Sequence, residues 1–165
     1  GLYQSDTKQL TVDSANGQIS VASERSAVLV LREGVAAAAG PLAVSGGSAP
    51  ALIALASLDL QPIRISRRLL LWVLTDAINT GMTFEDAERT TILTLGKLPP
   101  VVRSFAGTIA IEHADAARLR LWPLSLSGER RRPLSLQVDS TVAQLTLDTA
   151  ALPDGPALFF EIEVD

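Results

Sequence analysis

Short apolar segments separated by turn residues recur along most of the chain, and this spacing limits the folds that it can adopt. From residue 101 onward the turn residues lie at Asp115, Ser127-Gly128, Asp139-Ser140 and Pro153–Pro156. Strands that recur every 8 to 12 residues or so are typical of all-β sandwiches and barrels. The spacing therefore predicts a chain of short strands.

The N-terminal region shows the period-two alternation of a half-buried strand. Leu10 and Val12 share one face of the first segment, and Ile19 and Val21 share one face of the next. Between them stands Asn16-Gly17, a dipeptide that favours a tight hairpin turn because both residues tolerate positive φ. The pattern predicts a hairpin with strands at 9–13 and 18–22.

Two segments in the middle of the chain are apolar on both faces, as expected for strands buried between layers. They are Ala51–Leu58 and Arg68–Asp76, and they are predicted to form the centre of the fold. A helix over 67–79 is the alternative, because the apolar residues there also fit a period of about 3.6. A strand is favoured because every neighbouring segment is short and bounded by turns.

Glycine, proline and charged residues interrupt the remaining segments. The run Ala36–Ala39, followed by Gly40-Pro41, predicts a break, since four alanines are too few for a stable helix. Asn79-Thr80-Gly81 predicts a turn, Glu85–Arg89 predicts one helical turn or a charged loop, and 96–100 predicts a connection between sheets. About ten short strands remain, which predicts an all-β, immunoglobulin-like, two-sheet antiparallel β-sandwich.

Length and composition fit one folded domain, and residues 1–165 are predicted to form a single β-sandwich. Hydrophobic residues make up 47% of the chain and charged residues 19%, which is not the composition of a disordered segment. Cysteine is absent, which excludes disulfides, thiolate nucleophiles and Cys-ligated zinc. Gly1 in place of an initiator methionine suggests a domain excised from a longer protein.

Charge and hydropathy argue against two classes of partner. A net charge of -4 argues against nucleic acid, which requires a basic face. The basic cluster Arg130–Arg132 is predicted to be the solvated end of a hairpin. No apolar run approaches the roughly 18 residues of a membrane span, and no segment has the pattern of a signal peptide. We therefore expect no membrane span, and the sequence leaves the compartment open.

Residue types that carry catalysis are sparse. His113 is the only histidine, and its position at a strand-to-turn boundary predicts an exposed or capping side chain. The nucleophile elbow, the phosphate-binding loop and the dinucleotide-binding glycine motif are missing. No catalytic residue, cofactor or metal ligand is predicted.

Carboxylates occur in two groups. One group could form the pair that a glycoside hydrolase needs, with carboxyl groups about 5 to 10 Å apart. The other alternates along the last segment and is predicted to face solvent. The first group is Asp76, Glu85, Asp86 and Glu88, and the second is Glu161, Glu163 and Asp165.

Aromatic residues decide whether a sugar-binding surface is plausible, because sugar rings stack on exposed flat side chains. Trp72 and Trp122 lie inside apolar segments and are expected in the core, with Trp122 the better candidate for exposure because a proline follows it. Tyr3, Phe84 and Phe105 lie in loops or near the terminus. The predicted contacts to a glycan or a partner are Trp122, Phe84 and Tyr3.

Three motifs, taken in order, resemble a known module. They are Ser5-Asp6-Thr7 with Leu10 and Asp13, the motif LLLWVLTDAINTGM at 69–82, and LFFEIE at 158–163. Together they resemble the β-sandwich module at the C-terminal end of large bacterial glycoside-hydrolase-like proteins, over most of the chain. Phe159-Phe160 stands where that module often has Trp-Tyr.

The resemblance implies a role rather than an activity. In such proteins catalysis belongs to a separate upstream domain, so no catalytic residue carries over to this chain. The implied function is a non-catalytic accessory domain of a larger carbohydrate-active or exported protein, periplasmic or extracellular, that packs against a neighbouring domain of the same polypeptide or a partner. The alternatives are an independent carbohydrate-binding module, with a polysaccharide as partner, and a carboxylate-based glycoside hydrolase.

Overall fold

The computed structural model describes all 165 residues, and strands form nearly all of its regular structure. The first eight strands are β1 (Leu2–Gln4), β2 (Leu10–Asp13), β3 (Gln18–Ala22), β4 (Ser26–Leu31), β5 (Ala37–Ala39), β6 (Leu42–Ser45), β7 (Ala51–Ser57) and β8 (Arg68–Leu74). The other nine are β9 (Ala77–Thr80), β10 (Thr83–Phe84), β11 (Ile92–Thr94), β12 (Lys97–Val102), β13 (Ala106–Glu112), β14 (Leu119–Pro123), β15 (Gln137–Asp139), β16 (Val142–Asp148) and β17 (Phe159–Val164). Two short 3-10 helices span Ile63–Ile65 and Ala116–Arg118. Neither has the length or hydropathy that a membrane-crossing helix requires.

Two antiparallel sheets contain most of the strands. The larger sheet has eight strands in the order β1-β2-β3-β4-β7-β8-β17-β14, and the smaller has five in the order β15-β16-β13-β6-β5. The remaining four strands form the pairs β9–β12 and β10–β11. The prediction of an all-β antiparallel chain is confirmed. The helix alternative over 67–79 is wrong, because β8 pairs with β7 and β17 inside the larger sheet.

The two sheets share one buried core, to which alternate residues of each strand contribute. The larger sheet contributes Leu29, Ile53, Leu71 and Phe160 among others, and the smaller contributes Val44, Ile109 and Leu145. Burial of one such side chain stabilises the fold by about 1.5–3 kcal/mol. We call the side of each sheet that faces this core its inner face, and the opposite side its outer face.

The first hairpin forms where the sequence predicts it. Val12 lies opposite Ile19, and the turn between β2 and β3 contains Gly17 at a φ of 61°, a conformation that glycine adopts without strain. The carboxylate of Asp13 accepts hydrogen bonds from the backbone N–H groups of Ala15 and Asn16, which fixes the turn. Local turn chemistry thus sets the register of the hairpin.

Several glycine- and proline-rich segments form strands where the sequence predicted interruptions. Three of the four alanines form β5, which pairs with β6. Lys97–Val102 does not connect the sheets but forms β12 and pairs with β9. β12 has a single partner strand, a position in which proline is tolerated because one edge needs no donor. Asn79 and Thr80 end β9, the turn begins at Gly81, and 85–89 is a loop without helix.

Candidate docking surface

The outer face of the larger sheet carries two continuous rows of apolar side chains. Register places the members of each row directly opposite one another on neighbouring strands. The first row is Tyr3, Val12, Ile19, Val30, Leu52 and Leu74, and the second is Leu10, Val21, Val28, Ala54, Trp72 and Phe159. No charged residue interrupts either row. The face therefore has the composition of a contact surface rather than of a solvated one.

Three strands at one end of the larger sheet, β1–β3, have their polar side on the inner face. No residue of these strands belongs to the buried core, and Ala22 alone packs against it. Their inner positions include Gln4, Thr11 and Ser20, which register aligns with the core residue Leu29. We call β1–β3 the overhang. Its apolar side is the outer face, the side that the smaller sheet does not cover.

The outer face of the smaller sheet is different. Its central positions are small or polar: Gln144 and Ala110 form one row with Ala43, and Thr146 and Thr108 form the next with Ser45. Polar and small side chains are usual where a sheet faces water. The two outer faces of this chain therefore differ: that of the smaller sheet is polar or carries small side chains, and that of the larger sheet is apolar. The apolar outer face is the unusual one and requires an explanation.

A cluster of charges marks the border of the apolar rows. Glu161 on β17 accepts hydrogen bonds from Nε of Arg68 at 2.5 Å and from Nε of Arg130 at 2.7 Å, and only 8% of its side chain is exposed. Arg130 also pairs with Glu163 at 2.5 Å. The hydrogen bond from Arg130 lowers the pKa of Glu161, against the opposing effect of burial. Each charge at this border is neutralised within the chain.

This cluster corrects two predictions. Glu161 does not face solvent, because the guanidinium groups of Arg68 and Arg130 cover its carboxylate. Arg130 is not a free hairpin end, since it pairs with both glutamates and its guanidinium carbon lies 4.4 Å from the ring centroid of Trp122. Cation–π contact of this kind holds an arginine in place at a partly exposed site.

The three predicted contact residues lie far apart. Tyr3, with 66% of its surface exposed, lies on β1 at one edge of the larger sheet, and Trp122 lies on β14 at the other edge. Seven strand spacings separate these edges, or about 34 Å. Phe84 lies on β10, outside both large sheets, 5.3 Å from the guanidinium carbon of Arg89. The structure does not bring them together into one site.

Asp76 and Asp86, from the first group of carboxylates, have different hydrogen-bond partners. Asp76 pairs with Arg89 and, at 3.3 Å, with Arg103, and the hydrogen bond from Arg89 lowers its pKa. Asp76 is the only carboxylate lining the cavity beside it. Asp86 accepts a hydrogen bond from the hydroxyl of Thr90 at 2.6 Å. No group of three or more His, Cys, Asp or Glu side chains is arranged to hold a metal ion.

Two other side chains are more buried than the sequence indicated. His113 is 1% exposed: its Nε2 is 2.9 Å from the backbone oxygen of Ser66, and its Nδ1 accepts a hydrogen bond from the backbone N–H of Asp115. These contacts assign the proton to Nε2. Phe105, expected near the surface, is also 1% exposed and belongs to the core.

The aliphatic residues of the outer face were not predicted as a site. The alternation in β2 and β3 identified Leu10, Val12, Ile19 and Val21 as sharing a face, but alternation does not say whether that face points to the core. The signal that could have shown it is the polar set Thr11 and Ser20 on the opposite face of these strands, which lie at the margin of the smaller sheet and add no residue to the buried core. That information requires the strand order.

Comparison with known proteins assigns no family, since the chain matches no family model, no curated protein and no solved structure.

Proposed function

We propose that this chain is a non-catalytic accessory domain, an immunoglobulin-like sandwich, that packs the outer face of its larger sheet against a neighbouring domain of a larger carbohydrate-active or exported protein. The observation that carries the proposal is the pair of apolar rows on that face. The overhang strengthens the proposal, because its apolar residues lie on the outer face and therefore do not pack into the core of this chain.

The size of the face suits docking. It crosses seven strands and two rows, a footprint on the order of 400 Å² from ordinary strand and residue spacings, within which Tyr3, Leu10 and Ile19 are the most exposed side chains. The border charges are paired internally, so the face offers no net charge to a partner. A neutral, apolar protein surface is the complementary partner, rather than a nucleic acid or a charged lipid surface.

The carbohydrate-active context rests on the resemblance of the three motifs, which supports an exported protein and a catalytic domain elsewhere in the polypeptide. A glycan-binding role is the second candidate, and one observation favours it. Trp72 and Phe159 lie opposite each other on β8 and β17 within the outer face, so two aromatic side chains are adjacent there. Both roles place the functional surface on the outer face.

Cysteine labelling tests the docking role, because the chain contains no cysteine of its own. Ile19→Cys and Val30→Cys place thiols on the outer face, and Thr146→Cys places one on the outer face of the smaller sheet as a control. In the isolated chain all three should react with maleimide. In the natural polypeptide the first two should be protected at least tenfold while the control still reacts. Equal reactivity of all three in that polypeptide would contradict the proposal.

Tryptophan fluorescence separates the two candidates. Trp122→Phe leaves Trp72 as the sole reporter on the outer face. A panel of soluble polysaccharides should leave its emission and its acrylamide quenching unchanged if the face docks protein. Saturable protection by one polysaccharide would replace the accessory role with the glycan-binding role.

A further inference from the structure

An apolar cavity lies at one end of the sandwich, where strand ends from both large sheets meet. Leu124 follows β14 and Leu158 precedes β17 in the larger sheet, and Thr149 follows β16 in the smaller one. The cavity has a volume of about 240 Å³. Since a water molecule takes about 30 Å³ in the liquid, there is room for roughly eight non-hydrogen atoms. The size therefore suits one small molecule with a short aliphatic chain.

The wall of the cavity is aliphatic with a few polar side chains. Val102 and Leu126 join Leu124 and Leu158 in the apolar part. The polar side chains of the wall are Arg103, Ser104 and Thr149, and no carboxylate is among them. Apolar walls with a small number of polar groups are typical of ligand pockets.

Three hydrogen-bond donors of the wall have no acceptor within the chain. The hydroxyl of Thr149, a residue that is 3% exposed, accepts from the backbone N–H of Phe105 at 2.9 Å, but its own proton has no acceptor in the protein. The backbone N–H groups of Ala157, which is 4% exposed, and of Leu158 donate no hydrogen bond. Buried donors are almost always paired, so an unpaired set beside a cavity indicates a bound acceptor, either water or a ligand.

The charge at the wall is positive. Arg103 lines both this cavity and the cavity beside Asp76. Its guanidinium lies 3.3 Å from the Asp76 oxygen that Arg89 also binds, so two cations share one anion. Asp148 accepts a hydrogen bond from a backbone N–H and does not line the cavity, and the carboxylates of 85–88 line neither cavity. An excess cation at the wall favours an anionic head group and disfavours a cationic one.

We propose that this cavity binds a small aliphatic monocarboxylic acid of about six to eight carbons, with its chain against the leucines and its carboxylate beside Arg103 and the unused donors. The apolar wall alone would take any short chain. The donors and the excess cation select the head group, because a carboxylate only accepts hydrogen bonds and carries the complementary charge. The site is separate from the outer face and does not depend on the accessory role.

Backbone amide NMR of this chain, with octanoate as the ligand, tests the proposal. The amides of Thr149, Ala157 and Leu158 should shift in a saturable way, with half-saturation below about 1 mM, and the amide of Val12 on the outer face should not shift. Octanamide has the same chain without the charge and should bind at least fivefold more weakly, and octylammonium at least tenfold more weakly. Absence of saturable shifts at these amides, or equal binding of octanoate and octanamide, would overturn the proposal.

Two pairs of variants locate the site. Ala150→Phe places a ring at an exposed position of the wall and should abolish octanoate binding, whereas Ala151→Phe, at an exposed neighbour outside the wall, should leave it unchanged. Arg103→Gln should weaken octanoate binding at least fivefold and leave octanamide binding unchanged. Arg67→Gln, at an exposed arginine that lines neither cavity, should change neither.

All four substituted positions are exposed and outside the core, so thermal unfolding of the variants should match that of the parent chain. A loss of octanoate binding with unchanged unfolding then reports the site rather than the fold. Parent-like octanoate binding in Ala150→Phe would contradict the location of the site. Parent-like octanoate binding in Arg103→Gln would contradict the recognition of the carboxylate.

Discussion

Arg130 donates from Nε to the buried carboxylate of Glu161 at 2.7 Å, which ties the segment after β14 to the middle of β17. The same guanidinium lies over Trp122. Because Glu161 is enclosed and has two arginine partners, loss of its charge should leave two guanidinium groups with Glu163 as their one remaining anion.

We expect Glu161→Gln to lower the free energy of unfolding by about 3 kcal/mol at pH 7, since breaking a buried ion pair is costly. Glu129→Gln is the control: Glu129 is exposed and forms no ion pair, so it should change stability by less than about 0.5 kcal/mol. Chemical denaturation of both variants measures this. Equal stabilities would show that the Glu161 cluster does not stabilise the fold.

The pH dependence has a definite sign. The pKa of Glu161 is lower in the folded chain than its ordinary value, chiefly because Arg130 donates to its ionised form. Its contribution to stability is therefore present above the unfolded pKa of about 4.3 and is lost as pH falls through the folded pKa. Denaturation of the parent chain at a series of pH values below 5 should show this loss, to which other carboxylates with lowered pKa values such as Asp59 and Asp76 also contribute, and Glu161→Gln should make it smaller.

The apolar outer face should be dispensable for the isolated domain. Val12→Thr with Ile19→Thr removes apolar surface from the overhang, and we expect the free energy of unfolding to change by no more than about 1 kcal/mol. Leu29→Ala, on the inner face, should cost about 2–5 kcal/mol. Fluorescence of bound bis-ANS should fall by at least half in the first variant. A loss of stability as large as that of Leu29→Ala would show that the overhang belongs to the core.

One glycine is needed for the conformation of the segment 77–102, which contains β9 to β12. A Cβ on Gly96, at a φ of 68°, would lie 2.6 Å from both the nitrogen of Met82 and the oxygen of Thr80. Gly34 has a similar φ of 73° with nothing within 4 Å of its Cβ position, so Gly34→Ala shares the backbone strain without the clash. Hydrogen exchange in 77–102 should accelerate far more in Gly96→Ala than in Gly34→Ala. Amides of β4 and β8 should exchange alike in both.

His113 should act as a structural residue. His113→Ala removes the partner of the Ser66 carbonyl and opens a cavity, for an expected loss of about 2–4 kcal/mol. The nitrogen chemical shifts of the imidazole should show the proton on Nε2, as the contacts to Ser66 and Asp115 require. A proton on Nδ1 would contradict this hydrogen-bond assignment.

Local sequence patterns were enough to predict the first hairpin and one central strand. Asn16-Gly17 set the first hairpin, and the apolar run at 68–76 became a central strand although a helical period also fitted it. Leu71 pairs with residues on both neighbouring strands, and these backbone partners are what a helix would lack.

Long-range pairings account for what the sequence could not predict. Pro99 and Pro100 indicate an interruption, yet β12 forms because Val101 and Val102 pair with Ile78 and Ala77, some 20 residues earlier. Glu161 looked solvent-exposed because its covering arginines are distant in sequence. The sequence did not predict the outer face as a contact surface. Alternation shows which residues share a face of a strand, but it does not show whether that face points towards the core.

The separation of the segment 77–102 from the core has a consequence for how related chains could diverge. Since no residue of 77–102 contributes to the buried core, its length and sequence can change without loss of the sandwich. Selection on this segment then acts only through whatever it contacts, so recognition and foldability can evolve independently in this domain.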